Sequence, residues 1–179
     1  MNIIIPMAGI GSRLRPHTLT VPKPLVPVAG KAIVQRLVED IAKVVNEPLE
    51  EIAFVIGPNE QFFGKEVQKN LLEVAAKLGA KGSINIQEEA LGTAHAIYMA
   101  KQALTGNVIV AFADTLFRAD FVLDATVDGT VWVKEVEDPR AFGVVQLDAY
   151  GIIEDFVEKP ENPQSNLAII GIYYFKNGE

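Results

Sequence analysis

A cluster of glycine and basic residues near the amino terminus has the composition of a phosphate-binding site. Gly9 and Gly11 follow an isoleucine-rich run, and Arg13, Arg15 and Lys23 come next. Glycine lets the backbone turn sharply and present its N–H groups to a ligand, and such groups suit phosphate oxygens. The first 38 residues contain five Lys or Arg residues and no Asp or Glu, in a chain of net charge −7. This local positive charge predicts a small anionic ligand and argues against a nucleic acid partner.

Two common phosphate-binding motifs do not account for this segment. A dinucleotide-binding fingerprint requires a third glycine where Leu14 stands and an acidic residue about 20 positions further on, and neither is present. The chain also lacks the Gly-Lys-Ser/Thr ending of a P-loop. A pair of glycines after a strand is common in ordinary turns, so the prediction depends on its combination with the basic residues.

Two further segments carry polar residues directly after predicted strands. The planar amide of Gln87 has donors and an acceptor, which suits the edge of a pyrimidine base. Gly92 and Thr93 open a predicted helix whose first N–H groups are free to meet an anion or a base carbonyl. Asp114 stands where α/β sheets place functional groups, and one carboxylate with substrate phosphates can hold Mg²⁺. Each residue alone is equally typical of a strand flank, a cap or a turn.

The second half of the chain contributes a glycine and two charged residues at the ends of predicted strands. Gly143 begins a predicted strand, and Glu158 and Lys159 leave another one. A glutamate accepts hydrogen bonds from neighbouring sugar hydroxyls, and a lysine ammonium neutralises a phosphate. A charged strand exit is otherwise ordinary. His95 is expected to pack near the pocket, since nothing in the sequence pairs it with a nucleophile.

The segments GIGSRLRPHT and PKPLVPVAGK closely resemble the opening motif of the sugar-1-phosphate nucleotidylyltransferases, the enzymes that make nucleotide sugars. This resemblance implies a Rossmann-like nucleotidyltransferase fold and a reaction that joins a nucleoside triphosphate to a hexose 1-phosphate. UTP and dTTP are the leading candidates for the triphosphate. Pyrophosphate is the second product, and Mg²⁺ is the implied cofactor. The resemblance assigns nucleotide binding to Ala8, Gly9, Gly11, Ser12, Gln87, Gly92 and Thr93, sugar-phosphate binding to Gly143, Glu158 and Lys159, catalysis to Arg13, Lys23 and Lys159, and the metal to Asp114.

The chain departs from the family pattern at several positions. Ile10 and Ala113 stand where family members have glycine, and no candidate is found for the second acidic or amide ligand that shares the metal in the family. Ile169 replaces an asparagine of the N-acetylglucosamine enzymes, which favours a hexose without an acetamido group. Two alternatives therefore stay open: a catalytically impaired nucleotide-binding or regulatory module of the same fold, and a cytidylyltransferase or guanylyltransferase of the same superfamily.

Alternating strands and helices are predicted to position these residues in a mostly parallel, mixed sheet flanked by helices, a three-layer α/β/α arrangement. A continuous apolar run at Ile3 to Ile5 predicts a strand buried on both faces, and a 3.6-residue apolar stripe predicts a helix over 32–45. Further helices are predicted over 61–78 and 93–103, and further strands over 51–56, 83–86, 107–112, 130–136, 143–147, 152–157 and 169–175.

Composition sets the outer limits of the prediction. A chain of 179 residues with 49% hydrophobic content is expected to fold as one nucleotidyltransferase domain over residues 1–179. It has no cysteine, which excludes disulfides and thiolate zinc sites, and no export signal or membrane-length apolar run. We therefore expect a cytoplasmic protein without a membrane partner, for which a homo-oligomer is one possible state. Because the chain stops directly after a predicted strand, we also expect it to be truncated at its C-terminal end.

Overall fold

A sheet of eight strands forms the centre of the structure. The computed structural model describes residues 1–9, 15–117 and 122–179. In chain order the elements are β1 (Asn2–Pro6), β2 (Pro27–Val28), β3 (Lys31–Ala32), α1 (Ile33–Val44), β4 (Glu51–Ile56), α2 (Glu60–Phe63), α3 (Lys65–Lys77), β5 (Lys81–Ile86), α4 (Thr93–Met99), β6 (Val108–Ala111), β7 (Gly129–Glu135), β8 (Gly143–Leu147), β9 (Ile153–Glu158) and β10 (Leu167–Phe175).

The first half of the sheet is parallel and the second half is antiparallel. Strands run in the order β5, β4, β1, β6, and all of these neighbours pair in parallel. The next strand, β10, pairs antiparallel with β6, β7 and β8, and β9 closes the edge beside β8. The separate β2–β3 pair forms a small hairpin before α1. This topology confirms the predicted mixed sheet with a parallel first half.

The core lies on both faces of β1, as its apolar run predicts. Ile3 and Ile5 pack into a large cluster with α1 and α3, whereas Ile4 faces a second cluster with α4. Alternate residues of a strand point to opposite faces, so helices on both sides are needed to bury all three isoleucines. The predicted stripe on α1 is also buried, at Ile33, Val34, Leu37, Val38, Ile41 and Val44. The three-layer α/β/α prediction is therefore confirmed.

Several element boundaries differ from the predicted ones. The helix predicted over 61–78 is two helices, because Gly64 adopts an extended conformation between α2 and α3 and Asn59 caps α2 separately. The helix predicted over 93–103 ends at Met99, and its last residues form a 3₁₀ turn at Lys101–Ala103. Strand β5 begins two residues earlier than predicted, at Lys81, and β10 begins at Leu167. No helix among the described residues is both long and apolar enough to span a membrane.

The order of the strands defines where a ligand is expected. From β1 the chain builds outward through β4 to β5, and it then returns to the other side of β1 with β6. In such sheets, ligands bind beyond the carboxyl ends of the strands where the direction of building reverses. Gly9 follows β1 at this end of the sheet, Gln87 follows β5, and Asp114 comes shortly after β6.

Candidate functional site

A lysine and an aspartate meet beside the carboxyl ends of β1 and β6. Lys23 opens the 3₁₀ turn Lys23–Leu25 between Pro22 and Pro24, whose rings restrict the backbone on both sides. The Nζ atom of Lys23 lies 3.2 Å from Oδ2 of Asp114, and their side chains are 26% and 58% exposed. Both groups are thus open to solvent and to a ligand, and the structure brings together these two predicted site residues.

A network of backbone hydrogen bonds positions Asp114. The Asp114 N–H donates to the Phe112 carbonyl at 2.8 Å, and the Phe112 N–H donates to the Gly171 carbonyl of β10 at 2.9 Å. Thr115 Oγ1 lies 3.3 Å from Oδ1 of Asp114 and donates to it. Ala113, the residue at a family glycine position, is buried in the core, so its methyl group packs inward.

One described carboxylate at this place has the chemistry of a metal ligand. Among them there is no group of three or more His, Cys, Asp or Glu side chains that could hold a metal ion. Asp114 alone offers an exposed carboxylate with two oxygens facing Lys23 and Thr115. Mg²⁺ is commonly held by one or two carboxylates together with substrate phosphates, and the Asp114 carboxylate has the chemistry of such a ligand.

Gln87, Gly92 and His95 form a second contact group. The amide nitrogen of Gln87 donates to the Gly92 carbonyl at 3.1 Å and lies 3.2 Å from Nδ1 of His95. Gln87 is 7% exposed, and its backbone N–H donates to the Ile56 carbonyl at the end of β4. Gly92 precedes α4 with a φ of 100°, a backbone conformation that favours glycine. Thr93 begins α4 beside it and is exposed.

Gly143, Glu158 and Lys159 form a third contact group in the β8–β9 pair. Gly143 lies opposite Glu158, and a Cβ atom at Gly143 would lie 2.9 Å from Oε2 of Glu158. The carboxylate of Glu158 lies 2.9 Å from Nζ of Lys159, and both side chains are exposed. Lys159 has a φ of 44° and donates its N–H to the Phe142 carbonyl at 3.1 Å. The left-handed conformation of Lys159 turns the chain out of β9 directly at these two charges.

Tyr173, which no sequence motif singles out, links the Asp114 segment to the Glu158 group. Its ring packs edge-on against Phe112, with centroids 6.2 Å apart and an interplanar angle of 86°. Burial, and then the nearby charge of Glu158, raise the pKa of the Tyr173 phenol above its ordinary value. The aromatic run in β10 was the available signal, but it does not separate Tyr173 from Tyr174, which is fully buried and donates to the Ala125 carbonyl.

The amino-terminal glycine turn is described in part. Ala8 and Gly9 follow β1, where the Met7 N–H donates to the Val55 carbonyl at 2.8 Å. A Cβ atom at Gly57, directly after β4, would lie 3.4 Å from the Ala8 carbonyl oxygen, so the two strand ends run close together. Gly9 is exposed. The other predicted residues of this turn, Gly11, Ser12 and Arg13, lie outside the described residues.

The chain is similar to proteins of known sequence. The family model for nucleotidyl transferases matches residues 2–178. The chain is 33% identical to the bifunctional protein GlmU of Methanococcus aeolicus, covering 99% of this chain and 40% of that protein. It is 33% identical to the low-salt glycan biosynthesis nucleotidyltransferase Agl11 of Haloferax volcanii, covering 98% of this chain and 49% of that protein. The chain thus spans less than half the length of these curated relatives.

A third curated relative and two solved structures extend the comparison. The catalytic subunit beta of mannose-1-phosphate guanylyltransferase from Xenopus tropicalis is 34% identical, over 98% of this chain and 49% of that protein. A glucose-1-phosphate thymidylyltransferase structure from Bacillus anthracis superposes with a TM-score of 0.79 at 26% identity, covering 98% and 71% of the two chains. A UDP-glucose pyrophosphorylase complexed with UDP-glucose superposes with a TM-score of 0.76 at 26% identity, covering 98% and 75%.

Proposed function

Since this chain belongs to the nucleotidyl transferase family, we propose that it joins a nucleoside triphosphate to a hexose 1-phosphate, with UTP or dTTP as the first candidates. Residues 1–179 would act as one nucleotidyltransferase domain. The observation that carries the proposal is the contact between Lys23 and Asp114 at the strand ends. It supplies one cation for phosphate and one carboxylate for a metal at the place where α/β sheets bind nucleotides.

In the proposed reaction, a phosphate oxygen of the sugar 1-phosphate attacks the α-phosphorus of the triphosphate. A new oxygen–phosphorus bond forms, the bond from the α-phosphorus to the bridging oxygen breaks, and pyrophosphate leaves with the electron pair. No general base is required, because the attacking phosphate oxygen is already anionic. Catalysis then consists of positioning the two substrates and neutralising their charges.

Lys23 is assigned to the charge near the α-phosphorus, and Arg13 to the triphosphate beside the glycine turn. Lys159 is assigned to the sugar phosphate, because two anions repel each other at contact distance without a cation between them. A Mg²⁺ ion bound by Asp114 and the triphosphate would neutralise charge on the phosphate oxygens. The nucleotide is assigned to the turn and amide residues, with its phosphates at the glycine turn: Ala8, Gly9, Gly11, Ser12, Gln87, Gly92 and Thr93.

The sugar is assigned to the β8–β9 pair. Glu158 is exposed and close to Gly143, where the absence of a side chain leaves its carboxylate room to lie across the strand. A carboxylate in this position accepts hydrogen bonds from two neighbouring hydroxyl groups. Lys159, in contact with the same carboxylate, would bring the phosphate of the same substrate into line.

A pyrophosphate-release assay tests this proposal. The chain is incubated with Mg²⁺, with UTP, dTTP, GTP, CTP or ATP, and with a panel of hexose 1-phosphates. Release of pyrophosphate that requires both substrates supports the proposal, and the best pair names the base and the sugar. Nucleotide binding without any pyrophosphate release would instead favour the catalytically impaired binding module.

A further inference from the structure

We infer that His95 holds the amide of Gln87 in one orientation and thereby makes the site select nucleobases that carry a ring N–H donor. This inference rests on the proposed function, in which Gln87 contacts the base. Three observations carry it: the burial of Gln87, its contact with the Gly92 carbonyl, and its contact with a ring nitrogen of His95.

The Gly92 carbonyl decides which end of the Gln87 amide faces α4. A carbonyl oxygen only accepts hydrogen bonds, so the group 3.1 Å from it must be the NH₂ group. Gly92 itself is held with a φ of 100°, which fixes the direction of this carbonyl at the start of α4. One of the two amide hydrogens of Gln87 is therefore committed to Gly92.

His95 commits the other amide hydrogen. Its Nδ1 atom lies 3.2 Å from the same NH₂ group of Gln87. Because that group can only donate, the contact is a hydrogen bond when Nδ1 accepts, and we therefore place the ring proton of His95 on Nε2. With both hydrogens used, the amide nitrogen of Gln87 has no donor left for a ligand.

The atom that remains for a base is the Oε1 oxygen of Gln87. Among the described residues, this oxygen accepts no hydrogen bond. An acceptor requires a donor, and uracil, thymine and guanine each carry a ring N–H on their pairing edge. The corresponding ring nitrogens of cytosine and adenine are acceptors, and two facing acceptors in a nearly buried site leave both unsatisfied. The site thus discriminates against CTP and ATP by roughly tenfold or more.

The role of His95 can be separated from that of Gln87 by substitution. In His95→Phe the amide keeps its bond to Gly92, but one hydrogen is released and can donate to an acceptor on cytosine. In His95→Asn a side-chain oxygen replaces Nδ1 as an acceptor and keeps that hydrogen occupied. His95 is thus a positioning residue, and selectivity between bases is the property that its loss changes.

Calorimetric titration of the chain with UTP, dTTP, GTP, CTP and ATP in the presence of Mg²⁺ tests the inference. We expect wild type to bind UTP or dTTP at least tenfold more tightly than CTP, His95→Phe to bring this ratio close to one, and His95→Asn to restore it. Tyr98→Phe, an exposed position on the same helix, is the matched control and should leave the ratio unchanged. An unchanged ratio in His95→Phe, or equal binding of CTP by wild type, overturns the inference.

Two further outcomes keep the test decisive. If wild type binds none of the five nucleotides, the proposed function fails and the inference fails with it, whereas binding with an unaltered ratio in the variant defeats the inference alone. If His95→Phe does not fold, ¹⁵N chemical shifts of the His95 ring in wild type give the answer. We expect the proton on Nε2, and a proton on Nδ1 would overturn the inference without any variant.

Discussion

The ammonium group of Lys23 lies 3.2 Å from a carboxylate oxygen of Asp114, although the two residues belong to segments 91 positions apart in the sequence. The Asp114 carboxylate therefore lies where a ligand phosphate would contact Lys23, and the Lys23 ammonium lies where a metal cation would contact Asp114. A partly exposed pair of this kind contributes at most about 1 kcal/mol to folding. Its position at the strand ends explains its presence better than its effect on stability does.

Replacement of Lys23 by methionine should reduce turnover strongly and stability little. Loss of one positioned cation at a reacting phosphate is expected to cost about 3 kcal/mol of transition-state stabilisation, or roughly 100-fold in kcat/KM. The measurement is pyrophosphate release, with thermal unfolding as the check on the fold. Lys69→Met removes a lysine that pairs with Glu73 on the surface of α3, and it serves as the control. Arg13→Ala should show a similar loss, and near wild-type turnover in both variants would remove these residues from the mechanism.

The same substitution should strengthen binding of a divalent cation in the absence of nucleotide. In the free protein the Lys23 ammonium competes with a cation for Asp114, since two positive charges cannot approach one carboxylate without repulsion. Binding of Mn²⁺, followed by electron paramagnetic resonance, should be several-fold tighter in Lys23→Met than in wild type. This factor corresponds to the roughly 1 kcal/mol that an exposed ion pair contributes. Asp114→Asn should weaken it in both backgrounds. Equal Mn²⁺ affinity of wild type and Lys23→Met would show that the carboxylate is not the shared group.

The sequence predicts the layers of this fold because burial dictates its apolar pattern. Ile3 to Ile5 have no polar residue between them, and only a strand covered on both faces buries such a run. The break at Gly64 is not predictable in the same way, because a single glycine is tolerated within a helix. Its extended conformation depends on packing, which a local pattern does not contain.

In the candidate site, too, some residues can be predicted from the sequence and others cannot. Gln87 and Asp114 follow strands of the alternating β/α half of the chain, so their common edge can be inferred from the parallel half of the sheet. Tyr173 could not be selected, because β10 carries an irregularity between Ile169 and Tyr173 and Gly171 has a φ of 78°. Such an irregularity changes which side chains reach each face of a strand. The contact of His95 with Gln87 likewise depends on the turn at Gly92, whose geometry the sequence does not specify.

Addition of one methyl group at Gly143 should impair the sugar side of the reaction. In Gly143→Ala the new Cβ atom would lie 2.9 Å from Oε2 of Glu158, so the carboxylate must move. Because Glu158 is exposed and flexible, we expect a stability cost below about 1 kcal/mol. KM for the sugar phosphate should rise about tenfold or more, with the nucleotide affinity unchanged, and Glu158→Gln should behave similarly. Glu154→Gln on the same strand is the control, and an unchanged KM in Gly143→Ala would place the sugar elsewhere.

The phenol of Tyr173 should titrate above the ordinary tyrosine value of 10.0, because burial raises its pKa and the negative charge of Glu158 raises it further. A phenol with a raised pKa in the folded state binds its proton more tightly there than in the unfolded chain. The resulting stability is therefore complete below pH 10 and is lost as the pH rises through the folded-state pKa. Ultraviolet difference titration of wild type against Tyr173→Phe isolates this group from the other tyrosines. Glu158→Gln should lower the midpoint only partly, since burial is the larger cause. A titration midpoint at or below the ordinary value in wild type would show that Tyr173 is neither desolvated nor close to the Glu158 carboxylate. Tyr173 would then not connect the Asp114 segment to the Glu158 group.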